Sequence, residues 1–159
     1  MRVAWPDRGI SLLALLGACD SVPYRVLERG DDAISPPFEC TDDCCTPWME
    51  IATTPEDAAL LLGRRLSWPD DLANELRDDE QLLFSWAPAC PVPNVRYRIT
   101  GVKLAGDVLL VDHHIHVPTR NSHWTSSHPY EVIALPLQPE GVTYESTFTS
   151  NYPPPGFGE

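Results

Sequence analysis

Residues 95–117 read VRYRITGVKLAGDVLLVDHHIHV, and this stretch decides the fold. Two runs, Val95–Leu104 and Val108–Val117, alternate apolar and polar residues around Ala105-Gly106-Asp107, the pattern of a half-buried β-hairpin. A three-residue loop there puts Val95, Tyr97 and Ile99 on one face with His113, Ile115 and Val117. Arg96, Arg98 and Thr100 then share the other face with His116, His114 and Asp112. A two-residue loop would mix the two sets, so burial selects the longer one.

Upstream, Gln81–Ala87 reads as a strand with Leu82, Phe84 and Trp86 on one face. Pro88, Pro91 and Pro93 make 88–94 a loop, which holds Cys90. Downstream, 118–128 is a polar loop, and Tyr130–Leu135 and Val142–Phe148 read as two more strands. Before the strands, Thr54-Pro55-Glu56-Asp57 is a helix start, with a capping hydroxyl, Pro at the first helical position and acids in the first turn. Ala58–Leu62 continues that helix and Gly63 is a candidate C-terminal cap. A second short helix is expected after Ser67, with Pro69, through Leu72 and Leu76. The expected fold is mainly β, a small antiparallel β-sandwich-like domain with two short helices; α+β is the alternative.

Composition agrees. Seventeen prolines against a single lysine disfavour a helical bundle. A net charge of −12 excludes the basic surface that a nucleic-acid binder needs. No apolar run approaches the roughly 18–20 residues of a spanning helix. The acids are concentrated in 20–80, with 16 acidic against 5 basic residues. The chain divides into 1–18, an acidic Cys-containing tether at 19–50, a globular β-rich domain at 51–148 and a Pro-rich tail at 149–159. The tether reads as a solvated, self-repelling spacer.

The N-terminus sets the compartment. Arg2 and Arg8 precede an apolar core, Ile10–Leu16, which ends at Leu16-Gly17-Ala18-Cys19. This segment resembles a bacterial lipoprotein signal peptide with its lipobox. The resemblance implies cleavage before Cys19, a lipid on the Cys19 thiol, and residence at the cell envelope on its periplasmic or extracytoplasmic side. The membrane is then one partner. In that oxidising compartment, Cys40, Cys44, Cys45 and Cys90 are an even set for two disulfides. Adjacent Cys44 and Cys45 disfavour bonding to each other, which leaves Cys90 bonded to one of them and Cys40 to the other.

A second resemblance rests on Leu82–Tyr144. An apolar strand and a Pro-containing loop lead to Tyr97-Arg98-Ile99-Thr100-Gly101-Val102. A Gly turn opens Gly106-Asp107-Val108-Leu109-Leu110-Val111, and Pro129-Tyr130 opens a strand ending at Pro136. These features resemble the C-terminal domain of PrcB-type protease-complex subunits. Where that family has Gly-Gly-Tyr before the first hairpin strand, this chain has Val95, Arg96 and the matching Tyr97. The resemblance implies a small β-rich envelope domain that accompanies a surface protease without being one, and it brings no catalytic residues.

The chain has no Gly-x-Ser-x-Gly elbow, phosphate-cradling Gly loop or dinucleotide fingerprint. No enzyme activity and no cofactor are expected from it. Trp48, Trp68 and Trp86 read as core or helix–sheet contacts. Trp124, among small polar residues in Asn121–His128, reads as a contact point for another envelope protein, and Tyr130 and Tyr97 are the further candidate contacts. The alternative is a small envelope metal protein or enzyme built on Asp112, His114 and His116, completed by His123 or His128. His-x-His on a strand is a zinc-ligand spacing, but the expected register sets Arg96 and Arg98 opposite His116 and His114, where two cations oppose a dication. His113 falls on the apolar face as a hydrogen-bonded, partly buried imidazole.

Overall fold

The computed structural model describes residues 19–31, 33, 48–68, 71–87, 96–116 and 128–150. Eight strands and one α-helix follow in the order β1 Asp20–Ser21, β2 Arg25–Gly30, β3 Trp48–Ala52, α1 Pro55–Arg65, β4 Glu80–Trp86, β5 Arg96–Ala105, β6 Val108–His116, β7 Tyr130–Pro136 and β8 Thr143–Ser150. The strands form two four-stranded sheets, ordered β1-β5-β6-β8 and β2-β7-β4-β3. The fold is mainly β, as expected, in a two-sheet sandwich with α1 laid across the outer side of the second sheet.

The second sheet is buried on both sides. Leu82, Phe84, Trp86 and Val132 face α1, where Ala58, Leu61 and Leu62 close one core. Leu83, Ile133 and Leu135 face the first sheet and meet Ile99, Val102, Leu109 and Val111. β4 and β7 are therefore near-continuous buried runs, the pattern of a strand covered on two faces. The expected alternation along Gln81–Ala87 identified only one of those faces.

α1 begins as its sequence dictates. The Thr54 hydroxyl accepts a hydrogen bond from the Asp57 backbone N–H at 3.1 Å, and Pro55 opens the first turn. It does not stop at Gly63, however, and its cap is Leu66. The extra turn carries Arg65, whose guanidinium bonds Glu50 and lies 5.0 Å over the Trp86 ring. Those tertiary contacts outweigh the weak helix propensity of glycine. The second expected helix is a single 3-10 turn, Leu72–Glu75, with Leu72 buried under α1.

The hairpin reaches the expected facing by another route. The turn is two residues, Gly106-Asp107, with Gly106 at φ +66, where an L side chain is strained. A β-bulge between Ile99 and Gly101 absorbs the offset. Arg96 still pairs with His116, Tyr97 with Ile115 and Arg98 with His114.

The stretch 19–50 is corrected: its described residues form β1, β2 and the start of β3 rather than a spacer. β2 escapes a pattern reading because it is an edge strand with little full burial. It is held by Leu27 in the α1-side core and by Arg25 and Arg29 paired with Glu80 and Glu131. The last strand corrects the all-antiparallel expectation, since β8 runs parallel to β6. Between them the chain crosses to β7 in the other sheet and returns, and each crossing reverses direction.

Gly30 closes β2 opposite Tyr130, and a Cβ there would lie 2.5–2.7 Å from the Tyr130 ring. That ring is buried and stacked on Phe84, so it cannot swing clear. Gly30→Ala is expected to cost about 1–3 kcal/mol by overpacking. A thermal melt would show this as a drop of several degrees in Tm, whereas an unchanged Tm would mean that the β2–β7 register shifts.

Candidate functional site

The sandwich has two distinct ends. Asp20 pairs with Leu104, so exposed Cys19 stands beside the Gly106-Asp107 turn. At the opposite end, Gly30, Tyr130, Trp86 and Trp48 align across one sheet, and Arg96 aligns with His116 in the other. The connections between Ala33 and Trp48, between Ala87 and Arg96, and between His116 and His128 all leave from that end. Cys40, Cys44, Cys45, Cys90, His123 and Trp124 lie in those connections, outside the described residues, as do residues 1–18 and 151–159.

Between the sheets, near that end, lies a closed polar network. Ser85 Oγ is 3.0 Å from His113 Nε2 and 2.5 Å from the Tyr97 hydroxyl. His113 Nδ1 is 3.1 Å from the Thr147 carbonyl and 3.1 Å from Ser146 Oγ. A carbonyl only accepts, so Nδ1 carries the ring proton and Nε2 accepts from the Ser85 hydroxyl. Tyr97 in turn donates to Ser85 Oγ, and the Trp48 carbonyl, 3.1 Å away, is a second acceptor for the Ser85 proton. Burial pushes the His113 pKa down to about 4, which keeps the imidazole neutral, and pushes the Tyr97 hydroxyl up. The Ser–His contact is the pairing of an activated hydroxyl, but Ser85 and His113 are at most 1% exposed. No substrate reaches a hydroxyl placed there, and what the network does is satisfy buried polar groups.

Beside it, Glu131 is fully buried and accepts from Arg29 Nε at 2.8 Å and from the Ile99 backbone N–H at 2.5 Å. The Tyr24 hydroxyl donates to the Ile99 carbonyl at 3.1 Å. β1 covers β5 only at Lys103 and Leu104. Two side chains thus satisfy backbone groups of Ile99 that a longer β1 would have paired. Nothing in the local sequence marks Glu131 for this, since it follows Pro129-Tyr130 inside an apolar run. An acid at an inward strand position is the only hint.

Tyr97 and Tyr130 are corrected as contact residues. Each is 4% exposed, Tyr97 between the sheets and Tyr130 in the α1-side core. Of the tryptophans expected in the core, Trp86 is there, at 2% exposure. Trp48 is 46% exposed with its ring stacked on Trp86, and Trp68 is 81% exposed. A groove of about 440 Å³ runs between α1 and edge strand β3, with Ile51, Leu60 and Leu61 in its lining and Glu50, Asp57 and Arg64 as its charged members.

Of the candidate metal residues, Asp112 and His114 are engaged by other side chains. Lys103 donates to Asp112 at 2.7 Å and Thr147 donates to it at 2.5 Å, and together they hold its carboxyl below the usual carboxylate range. His114 Nδ1 is 2.9 Å from Thr149 Oγ1. His116 is exposed opposite Arg96. His128 begins the approach to β7, with its backbone N–H on the Asp31 carbonyl. Among the described residues, no three His, Cys, Asp or Glu side chains converge as a metal set. No described helix is long and apolar enough to cross a membrane. Comparison with protein-family models, with curated proteins and with solved structures finds no match for this chain.

Proposed function

We propose that this chain is a lipid-anchored protein of a bacterial cell envelope, and that its sandwich is a non-catalytic binding or accessory module working beside a surface protease. The observation that carries the anchor is Leu16-Gly17-Ala18-Cys19 placed immediately before β1. The resemblance of Leu82–Tyr144 to PrcB-type subunits supports the accessory role. Trp124 falls in the connection between His116 and His128, and β6 ends and β7 begins at the end of the sandwich away from Cys19.

Two measurements test this reading. Mass spectrometry of the mature protein should find acylated Cys19 as its first residue, the mature protein should partition into detergent, and Cys19→Ser should abolish processing at that site. A mature N-terminus elsewhere removes the anchor. A pull-down from native membranes should recover a specific partner with the wild type and lose it with Trp124→Ala. An unchanged partner set removes the case for that loop.

A further inference from the structure

The outward face of the β5–β6 hairpin holds an unbalanced group of cations. Arg96 and Arg98 are exposed and project from the face that His114 and His116 share. Successive residues on one face of a strand stand about 7 Å apart, and cross-strand partners about 5 Å at Cβ. Four nitrogen-bearing side chains therefore occupy one patch. Elsewhere Arg25, Arg29, Arg65 and Lys103 each bond a carboxylate. Among the described residues, Arg96 and Arg98 bond none, in a chain of net charge −12. The acid nearest along β6, Asp112, is neutralised by Lys103. On β8, Thr149 lies beside His114, while Glu145 aligns with Leu110, four positions back or about 13 Å away.

The positive charge that opposes a metal dication favours an anion. We propose that this face binds phosphate groups, with the Arg96 and Arg98 forks supplying charge and His114 and His116 supplying further donors. A planar carboxylate offers two oxygens to one fork, whereas a phosphate presents three or more around a tetrahedron and can engage side chains from both strands. The site is built from β5 and β6 alone and does not depend on the lipid anchor.

The test uses residues 19–159 carrying Cys19→Ser, which keep every described element, so that neither an acyl chain nor the basic and apolar stretch before Cys19 contributes. Calorimetry with inorganic polyphosphate at about 50 mM salt should show binding that weakens steeply as salt rises. Arg96→Gln/Arg98→Gln should weaken it roughly tenfold or more. Arg64→Gln/Arg77→Gln removes the same charge elsewhere and should leave it unchanged. Both pairs are exposed, and an unaltered near-UV spectrum checks the fold. A second arm compares phosphatidylglycerol with phosphatidylcholine vesicles. Binding to the first that is lost with Arg96→Gln/Arg98→Gln assigns a lipid headgroup as a source; binding to polyphosphate alone assigns a soluble phosphate. The proposal is overturned by no binding to polyphosphate, by polyglutamate binding as tightly, or by equal loss in the Arg64/Arg77 variant.

Discussion

Arg29→Leu is expected to destabilise the domain by about 3–5 kcal/mol, the range for leaving one member of a buried ion pair without its partner. The asymmetry of the pair explains the size. Arg29 is 45% exposed along its side chain, so water can take over its charge, whereas Glu131 is wholly enclosed between the sheets. Without Arg29, the carboxylate keeps, among the described residues, only the Ile99 N–H as a donor. Glu131→Leu removes the charge but leaves that backbone N–H unsatisfied, which costs about 1–3 kcal/mol before any strain. Urea unfolding of both single variants and the double variant closes a thermodynamic cycle. The double variant should be more stable than the sum of the two losses predicts. Strict additivity would mean that the pair does not couple β2 to β7.

The second large effect is a pH dependence centred on His113. Burial lowers its pKa from the ordinary value of about 6.5 to about 4 in the folded protein. The unfolded chain therefore binds a proton more readily than the folded one across that interval. The contribution is fully present above about pH 6.5 and is lost as pH falls towards 4, at up to about 1.4 kcal/mol per pH unit and about 3 kcal/mol in all. Asp112 and Glu80 act in the same direction but at lower pH, because Lys103 and Arg25 hold their carboxyls below the ordinary range. Urea midpoints measured between pH 7.5 and 4.5 should fall for the wild type. His113→Gln should be less stable at pH 7.5 yet show a flatter profile. A wild-type slope retained in His113→Gln would place the titrating group elsewhere.

The sequence announces those elements whose signals are local. Thr54 and Pro55 start α1 because capping is decided within one turn. Tyr97, Ile99, His113 and Ile115 share a face because side chains alternate along any strand. Signals set by distant partners are silent. Gly63 looks like a helix end until Arg65 is seen bonded to Glu50. The hairpin turn looks like three residues when the facing is judged from Val95–Thr100 alone, whereas the bulge at Thr100 shows as the break in alternation between buried Ile99 and buried Val102. β2 looks like a spacer because its anchors, Glu80 and Glu131, lie 55 and 102 residues away. The candidate site divides in the same way. The Arg and His residues of the hairpin could be placed on one face from spacing alone, whereas the burial of Tyr97 and Tyr130 depends on which sheet and helix cover them.

The parallel return of β8 has a consequence for the order in which the chain can fold. The first sheet draws its strands from the beginning, middle and end of the described chain: β1 at Asp20, the β5–β6 hairpin, and β8 at Thr143–Ser150. The hairpin can nucleate as soon as its two-residue turn is made, since closing so short a loop is fast. The edge of β6, by contrast, must wait for the last strand to be synthesised and to cross back from the other sheet. During that interval Val108–His116 presents unpaired backbone N–H and C=O groups, the kind of template on which neighbouring chains pair. Late, sequence-distant pairing of this sort is slow. The nascent protein is thus at greatest risk of self-association just before its final strand arrives, and a truncation that removes β8 prolongs that state indefinitely.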